Sequence, residues 1–198
     1  MSALLQMRKT KVDRYLKPLA EETVQAYLGK GLHLLGLLQW IIQQVGVIEW
    51  LGVSTYSTSD EFLSGIINLK RERLLRTSVL IADVKAAKKT VILEDIMKQC
   101  FDEVILAENH SKVMLIMAYG VKISVISSQN QTYGGRSEST MITTLPDVFE
   151  SLNQGFMNIV SEGVSLYGLH TETTGTDTSV CGKIDSTFRD FRPFGAQE

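Results

Sequence analysis

The stretch HSKVMLIMAYGVKISVISSQNQT, residues 110–132, contains two apolar runs separated by a short turn. The runs 110–118 and 122–128 have the length and β-rich composition of strands, and Tyr119-Gly120 between them is typical of a tight turn. These features predict a hairpin. In a hairpin the start of the first strand lies beside the end of the second, so the polar residues at these two ends are brought together.

Upstream of this hairpin, apolar runs of strand length alternate with helical patterns. The expected elements there are helix 31–44, strand 47–54, helix 61–73, strand 77–84, helix 90–100 and strand 102–109. Ser59 or Asp60 is the expected cap of the second helix, and Thr90 that of the third. A strand at 139–144 and a helix at 145–163 follow the hairpin. The pattern predicts an α/β fold in which helices flank a mixed β-sheet, an αβα sandwich.

The two ends of the chain differ in composition from its middle. Residues 1–30 are charged and amphipathic, with a helical pattern from about 10 to 28, and predict a helical extension. Residues 166–198 are polar and rich in Thr and Gly, which is typical of a tail or arm. We therefore expect one core domain over residues 31–165.

The segment 31–53 is long and apolar enough to raise the question of a membrane span. It carries His33, Glu49 and three glutamines, whereas a spanning helix needs about 20 predominantly apolar residues. A buried helix that turns at Gly46 into a central strand fits it better. The charges of the first residues follow a short apolar stretch, which is not the order of a secretory signal. A cytoplasmic protein without membrane contact is expected.

Composition limits the classes of function. Hydrophobic residues make up 44% of the 198 residues and charged residues 21%, as in ordinary globular proteins. The net charge of −2 does not indicate a strongly basic nucleic-acid binder. Cys100 and Cys181 form no disulfide framework, and the spacing of cysteines and histidines fits no zinc site. We expect no metal and no cofactor.

Polar side chains cluster around the open end of the predicted hairpin. They are His110, Lys112, Ser127, Ser128, Asn130, Thr132, Arg136 and Glu138. A neutral imidazole can attack phosphorus, while ammonium, hydroxyl and amide groups bind the phosphoryl oxygens as negative charge develops on them. A carboxylate such as Glu138 could fix the tautomer of the imidazole through its other nitrogen. The cluster predicts a phosphate site.

The motif His-x-Lys at 110–112, followed by Ser-Ser-x-Asn at 127–130 and by Glu138, resembles the signature of the phospholipase D superfamily, the HKD phosphodiesterases. The resemblance extends over about residues 45–160. It implies a phospholipase D-like domain and a two-step reaction without metal, through a phosphohistidine intermediate. The expected activity is that of a nuclease that cleaves DNA.

The resemblance also implies roles for the residues of the site. His110, Lys112, Asn130 and Glu138 are the expected catalytic residues. The expected substrate-binding residues are Ser127, Ser128, Thr132, Arg136 and Tyr56, which lies in the hydroxyl-rich loop after strand 47–54. Tyr56 could stack on a base or sugar, or its loop could serve only to cap the next helix. Asn130 and Glu138 could likewise be a plain turn residue and a solvated charge.

Only one His-x-Lys is present, because neither His33 nor His170 has a lysine two positions later. In the superfamily, single-motif chains pair, and each copy supplies one histidine to a shared site. The resemblance therefore implies a twofold homodimer.

Two features favour other interpretations. The aspartate that the signature has five residues after the lysine falls on Met117, and Ser127 stands where the signature often has glycine. The alternative is a catalytically inactive HKD-fold module that binds nucleic acid or a partner protein. The basic run 68–89 could neutralise a nucleic-acid backbone or could simply be a solvated helix end.

Overall fold

The computed structural model describes residues 12–86, 94–131 and 136–168. Contacts divide the chain into two compact units, Met1–Leu166 and Tyr167–Glu198. The elements described below lie in the first unit, apart from the last two residues of a 3-10 turn at Leu166–Gly168. The predicted cap Thr90, the site residue Thr132, His170, Cys181 and the tail beyond residue 168 lie outside the described residues.

In the described chain, strands and helices alternate up to residue 107, and three more strands follow before the last helix. The strands are β1 (Val24–Gly29), β2 (Ile48–Thr55), β3 (Leu75–Asp83), β4 (Glu103–Ala107), β5 (Val113–Ala118), β6 (Val121–Ser127), β7 (Glu138–Thr143) and β8 (Val164–Ser165). The helices are α1 (Leu34–Val45), α2 (Asp60–Arg71), α3 (Glu94–Cys100) and α4 (Pro146–Glu162). The predicted cap Ser59 accepts a hydrogen bond from the backbone N–H of Phe62, 3.2 Å away.

One mixed sheet contains all of the described strands, in the order β1-β7-β6-β5-β2-β3-β4-β8. Strands β2, β3 and β4 are parallel, and β5 runs antiparallel beside β2. The predicted hairpin is confirmed as β5–β6, whose turn contains Gly120 at φ 73°. The predicted mixed sheet flanked by helices is thereby confirmed.

The sheet is covered on both faces. Helix α4 packs its Phe156 against Ile81, Ile105 and Leu115 of the sheet, with Met117 at the margin of this cluster. The residues that alternate with these along the strands face the other side. Helices α2 and α3 lie on that other face, where the Ser78 hydroxyl donates to the Cys100 carbonyl at the end of α3 and the Cys100 thiol donates to the Leu63 carbonyl of α2. The core is therefore a three-layer αβα sandwich.

The helix predicted for residues 10–28 is wrong over Val24–Gly29. These residues form the edge strand β1, which pairs antiparallel with β7 from Val24 opposite Thr143 to Gly29 opposite Glu138. The exposure of successive residues alternates with the period of two that a strand gives. The pairing partner lies more than 100 residues later, so the local pattern could not reveal it.

The apolar segment 31–53 divides as predicted into a buried helix and a central strand. Helix α1 ends at Gly46, whose φ of 78° is accessible mainly to glycine, and β2 begins two residues later. Among the described residues, no helix is both long and apolar enough to cross a membrane.

Candidate phosphodiester site

The polar residues of the sequence motif gather at one edge of the sheet. Parallel strands β2, β3 and β4 end there, and the antiparallel strand β5 begins there. Strand β6 ends beside them, because the backbone N–H of Ser127 donates to the carbonyl of Lys112 over 2.9 Å. The expected convergence of the two ends of the hairpin is therefore present.

His110 and Lys112 lie in the segment before β5, and not within the strand predicted for 110–118. The strand begins at Val113, since the ladder with β2 starts with Ser54 opposite that residue. The Lys112 Nζ lies 3.3 Å from His110 Nδ1 and donates to the His110 carbonyl over 2.6 Å. His110 is exposed and Lys112 half-buried, so both polar groups are available to a ligand at this edge.

Tyr56 lies against His110. The two ring centroids are 5.8 Å apart with an interplanar angle of 61°, an edge-to-face arrangement. The loop of Tyr56 also contacts the segment after β6, because the backbone N–H of Ser59 donates to the Gln131 carbonyl over 2.9 Å. The hydroxyl-rich loop after β2 thus forms part of this edge.

The ends of β6 and β7 form a second polar group. The Ser128 hydroxyl donates to the carboxylate of Glu138 and accepts from the backbone N–H of Ser139 at 3.0 Å. The Ser127 hydroxyl donates to the Ser139 carbonyl over 3.1 Å. Glu138 is therefore engaged by Ser128 in the described site. Arg136 is exposed nearby in sequence, before β7 begins.

Three successive amide side chains follow Ser128. Gln129 and Gln131 are buried and Asn130 half-buried, and each has a buried side-chain oxygen without a hydrogen bond to any described group. A buried polar atom that makes no hydrogen bond costs on the order of 1–3 kcal/mol. The backbone is held nevertheless, as the Gln131 N–H donates to Thr55 Oγ1 over 3.3 Å. The Asn130 side chain is thus partly exposed, while its oxygen is covered.

The sequence reasoning missed a hydrogen-bond network beside His110, in which buried Ser54, Asp83 and Asn109 join exposed Ser111. The Asn109 Oδ1 accepts from the Ser54 hydroxyl at 3.1 Å and from the Ser111 hydroxyl at 2.7 Å. Asp83 Oδ2 accepts from the backbone N–H of Asn109 over 2.9 Å. A usable signal existed, because a polar residue stands at or just beyond the carboxyl end of each of three neighbouring parallel strands.

The basic run 68–89 is divided between the two ends of the parallel strands: part of it lies near their amino ends and part at the carboxyl ends, where the site is. Lys70 bonds Asp102 at 2.8 Å, and Arg76 lies 3.8 Å from Glu49. Arg76 and Ser78, which binds the Asp102 of the first pair, precede the end of β3 at Asp83 by seven and five residues, roughly 23 and 17 Å at about 3.3 Å per strand residue. Lys85 lies at the site edge, where its backbone N–H donates to Asp83. Lys88 and Lys89 lie outside the described residues.

A cavity of about 800 Å³ lies at the edge opposite to the motif residues. Its lining includes Gln44 at the end of α1, Glu49 at the start of β2, and Ala118 and Lys122 beside the turn of the hairpin. Among the described residues, no group of three or more His, Cys, Asp or Glu side chains is arranged to hold a metal ion.

No protein-family model matches the sequence, and no curated protein matches it. Solved structures do match. NucT from Helicobacter pylori aligns over 71% of this chain and 98% of its own, with 15% identity and a TM-score of 0.55. Nuc from Salmonella typhimurium, a phospholipase D family member, aligns over 72% and 97%, with 14% identity and a TM-score of 0.53.

A polyphosphate kinase from Porphyromonas gingivalis matches over 69% of this chain, with 12% identity and a TM-score of 0.53. The match spans only 26% of that larger chain. At such identities the likeness concerns the fold alone. The chain shares its fold with Nuc, a phospholipase D family member, and with NucT, and the fold that the sequence resemblance implied is confirmed.

Proposed function

We propose that the protein is a metal-independent phosphodiesterase of the phospholipase D type, a nuclease that cleaves DNA through a covalent phosphohistidine. We further propose that two copies share one site. The observation that carries the proposal is the position of Lys112 Nζ, 3.3 Å from His110 Nδ1, at the sheet edge where β6 ends. A nucleophile and a cation are thereby directed to one place, in a fold shared with Nuc and NucT.

The first step forms a bond between an imidazole nitrogen of His110 and phosphorus. The bond from phosphorus to the leaving oxygen breaks, and that oxygen takes a proton from the His110 of the second copy. In the second step the same imidazole of the second copy accepts a proton from water. The oxygen of that water attacks phosphorus, and the phosphorus–nitrogen bond breaks. Each copy therefore supplies one of two necessary histidines.

The free site has an arrangement that the reaction must change. A lysine ammonium can only donate, so Nδ1 of His110 accepts from Lys112 and the proton of the neutral ring is on Nε2. Attack through Nε2 requires that proton on Nδ1 instead. We propose that a bound phosphate attracts the Lys112 ammonium, which then contacts the phosphate oxygens and no longer His110 Nδ1. Glu138 is then the proposed acceptor for the Nδ1–H, after it leaves Ser128.

The remaining residues of the motif bind the substrate in this proposal. Asn130 acts with Lys112 on the phosphoryl oxygens as negative charge develops on them. The other binding groups are Ser127, Ser128, Thr132 and Arg136. Tyr56, already in contact with the His110 ring, stacks on a base or sugar.

The second candidate function is a catalytically inactive module of the same fold that binds nucleic acid or a protein. The observation that favours it is Met117, which stands at the place of the motif aspartate and packs beside the core under α4. This module would bind DNA and leave it intact.

The test uses the purified full chain, DNA and excess chelator. Cleavage is expected to persist in chelator, and His110→Ala should abolish it while DNA binding remains. Tyr119→Ala is the matched control, because this exposed residue lies at the opposite end of the same hairpin. A strict requirement for magnesium would rule out the phosphohistidine reaction, and binding without cleavage would support the inactive module.

The shared site has its own test in sedimentation and subunit mixing. The wild type is expected to sediment as a dimer, and hybrids of wild-type and His110→Ala copies should be inactive, because one of the two imidazoles is missing. An active monomer would exclude the shared site.

A further inference from the structure

We propose that Asn109 is a positioning residue for His110, acting through the hydrogen-bond network that it forms with Ser54, Asp83 and Ser111. The inference rests on the proposed function for its catalytic consequence. Asn109 itself does not touch substrate in this proposal. Its buried side chain instead fixes the chain on both sides of the histidine, so that the His110 ring and the Lys112 amine stay directed to one point.

The acceptor oxygen of Asn109 is saturated by three donors. They are the hydroxyl of Ser54 at 3.1 Å, the backbone N–H of Ser111 at 3.1 Å and the hydroxyl of Ser111 at 2.7 Å. The hydroxyls of Ser54 and Ser111 also contact each other. One side chain therefore joins the end of β2 to the residue that follows His110.

The donor groups of Asn109 join two further strands. Its side-chain amide donates to the Thr55 carbonyl over 3.3 Å, and its backbone N–H donates to Asp83 at the end of β3. The other oxygen of Asp83 accepts from the backbone N–H of Lys85 over 2.7 Å. Asn109 and Asp83 are each 5% exposed, so water cannot easily replace these bonds.

His110 needs such support because no strand holds it. Strand β4 ends at Ala107 and β5 begins at Val113, which leaves the catalytic segment between two ladders. Its exposed ring is in contact with Tyr56 and Lys112, both side chains of the same edge. The bonds of Asn109 are therefore what ties the segment to the rigid ends of β2 and β3.

The network predicts a specific kinetic effect. A displacement of a reacting group by about 1 Å can reduce the rate about 100-fold. Asn109→Ala should therefore lower kcat about 10- to 100-fold and change the KM for DNA by less than about 3-fold. Ser111→Ala should lower kcat by a smaller factor, since the Ser111 N–H still binds Asn109. Ser111→Thr keeps the hydroxyl and should retain wild-type kcat.

Ser78→Ala is the matched control for the loss of a buried hydrogen bond. Ser78 is fully buried in β3, and its hydroxyl donates to the Cys100 carbonyl over 3.0 Å, away from the site edge. The control should lower thermal stability about as much as Ser54→Ala does. It should leave kcat unchanged, whereas Ser54→Ala should lower it.

A second measurement does not depend on cleavage. Imidazole nitrogen NMR of His110, identified by comparison with His110→Ala, should show one dominant tautomer in the wild type and in Ser78→Ala. Asn109→Ala should give the mixture of a free histidine. If the wild type cleaves no phosphodiester, the proposed function fails. The NMR measurement would still show whether Asn109 positions the His110 ring. Asn109→Ala would overturn the inference if it matched Ser78→Ala in both kcat and the His110 signal.

Discussion

The hydroxyl of Ser128 donates a hydrogen bond to the carboxylate of Glu138, where β6 and β7 lie side by side. Ser128 is thereby held by two groups of the neighbouring strand, since its oxygen also accepts from the Ser139 N–H. The contact links a proposed phosphate ligand to the carboxylate assigned to orient His110. The two side chains are therefore expected to act together.

A double-mutant cycle on Ser128 and Glu138 checks this coupling. Ser128→Ala and Glu138→Gln should each lower kcat, and the double variant should lose less than the product of the two effects, because each single change already disrupts the contact. The measurement is kcat on DNA for the four proteins. Strictly multiplicative effects would show that Glu138 acts on His110 independently of Ser128.

Restoring the motif aspartate at Met117 should destabilise the protein. Met117 is half-buried at the margin of the cluster under α4, and its cross-strand partner Lys122 is already bonded to Glu150. A carboxylate there loses packing and part of its hydration, which costs about 1–3 kcal/mol. Met117→Asp should lower the midpoint of thermal unfolding without raising activity. Met117→Leu keeps the apolar volume and should stay close to wild type, and a more active Met117→Asp would contradict this view.

Asp102 should make stability depend on acid pH. Burial tends to raise the pKa of this carboxyl, but the hydrogen bonds from Lys70 and from the Ser78 N–H and hydroxyl outweigh it, so the pKa lies below its usual value. Because the folded pKa is the lower one, the stabilisation is present above the unfolded pKa of 3.8 and is lost as the pH falls through the folded value.

The corresponding variant is Asp102→Asn, compared with wild type by thermal unfolding between acid and neutral pH. The variant should be less stable at pH 7, and the difference should shrink as the carboxyl of the wild type becomes protonated. A difference that is constant over this pH range would mean that the charge of Asp102 contributes nothing.

Cys100 should be chemically inert in the folded protein. The side chain is fully buried against α2. This burial raises the pKa of its thiol to about 12, and the nearby positive charge of Lys70 opposes the increase only in part. Because thiolate is the reactive form, iodoacetamide at pH 8 should modify Cys100 only after unfolding. Peptide mass spectrometry with and without denaturant measures this, and rapid labelling of native protein would contradict it.

The same shift predicts a loss of stability in alkali. An unfolded thiol ionises near 9.0, whereas the folded one stays neutral until about 12. The stabilisation of the folded state by the buried neutral thiol is therefore complete below pH 9, and it decreases as the pH rises from 9 to about 12. Cys100→Ala should show a weaker dependence of unfolding free energy on alkaline pH than wild type.

The amino-acid sequence by itself determined the local elements and the motif. The local elements depend on neighbouring residues: the helical periods at 31–44 and 145–163, the apolar runs of strand length and the Tyr119-Gly120 turn. The structure has all of these elements within a few positions of the predicted bounds. The hairpin brought the ends around Lys112 and Ser127 together for the same reason, because a short turn leaves only one way to pair its strands.

Only the tertiary structure decided the pairings between distant residues. The edge strand β1 depends on β7, which lies more than 100 residues later, and this partner overrides the helical pattern of the first residues. The network of Asn109 depends on Ser54 and Asp83, which are 55 and 26 residues away along the chain. Such contacts exist because parallel strands end at one edge, and that is a property of the assembled sheet.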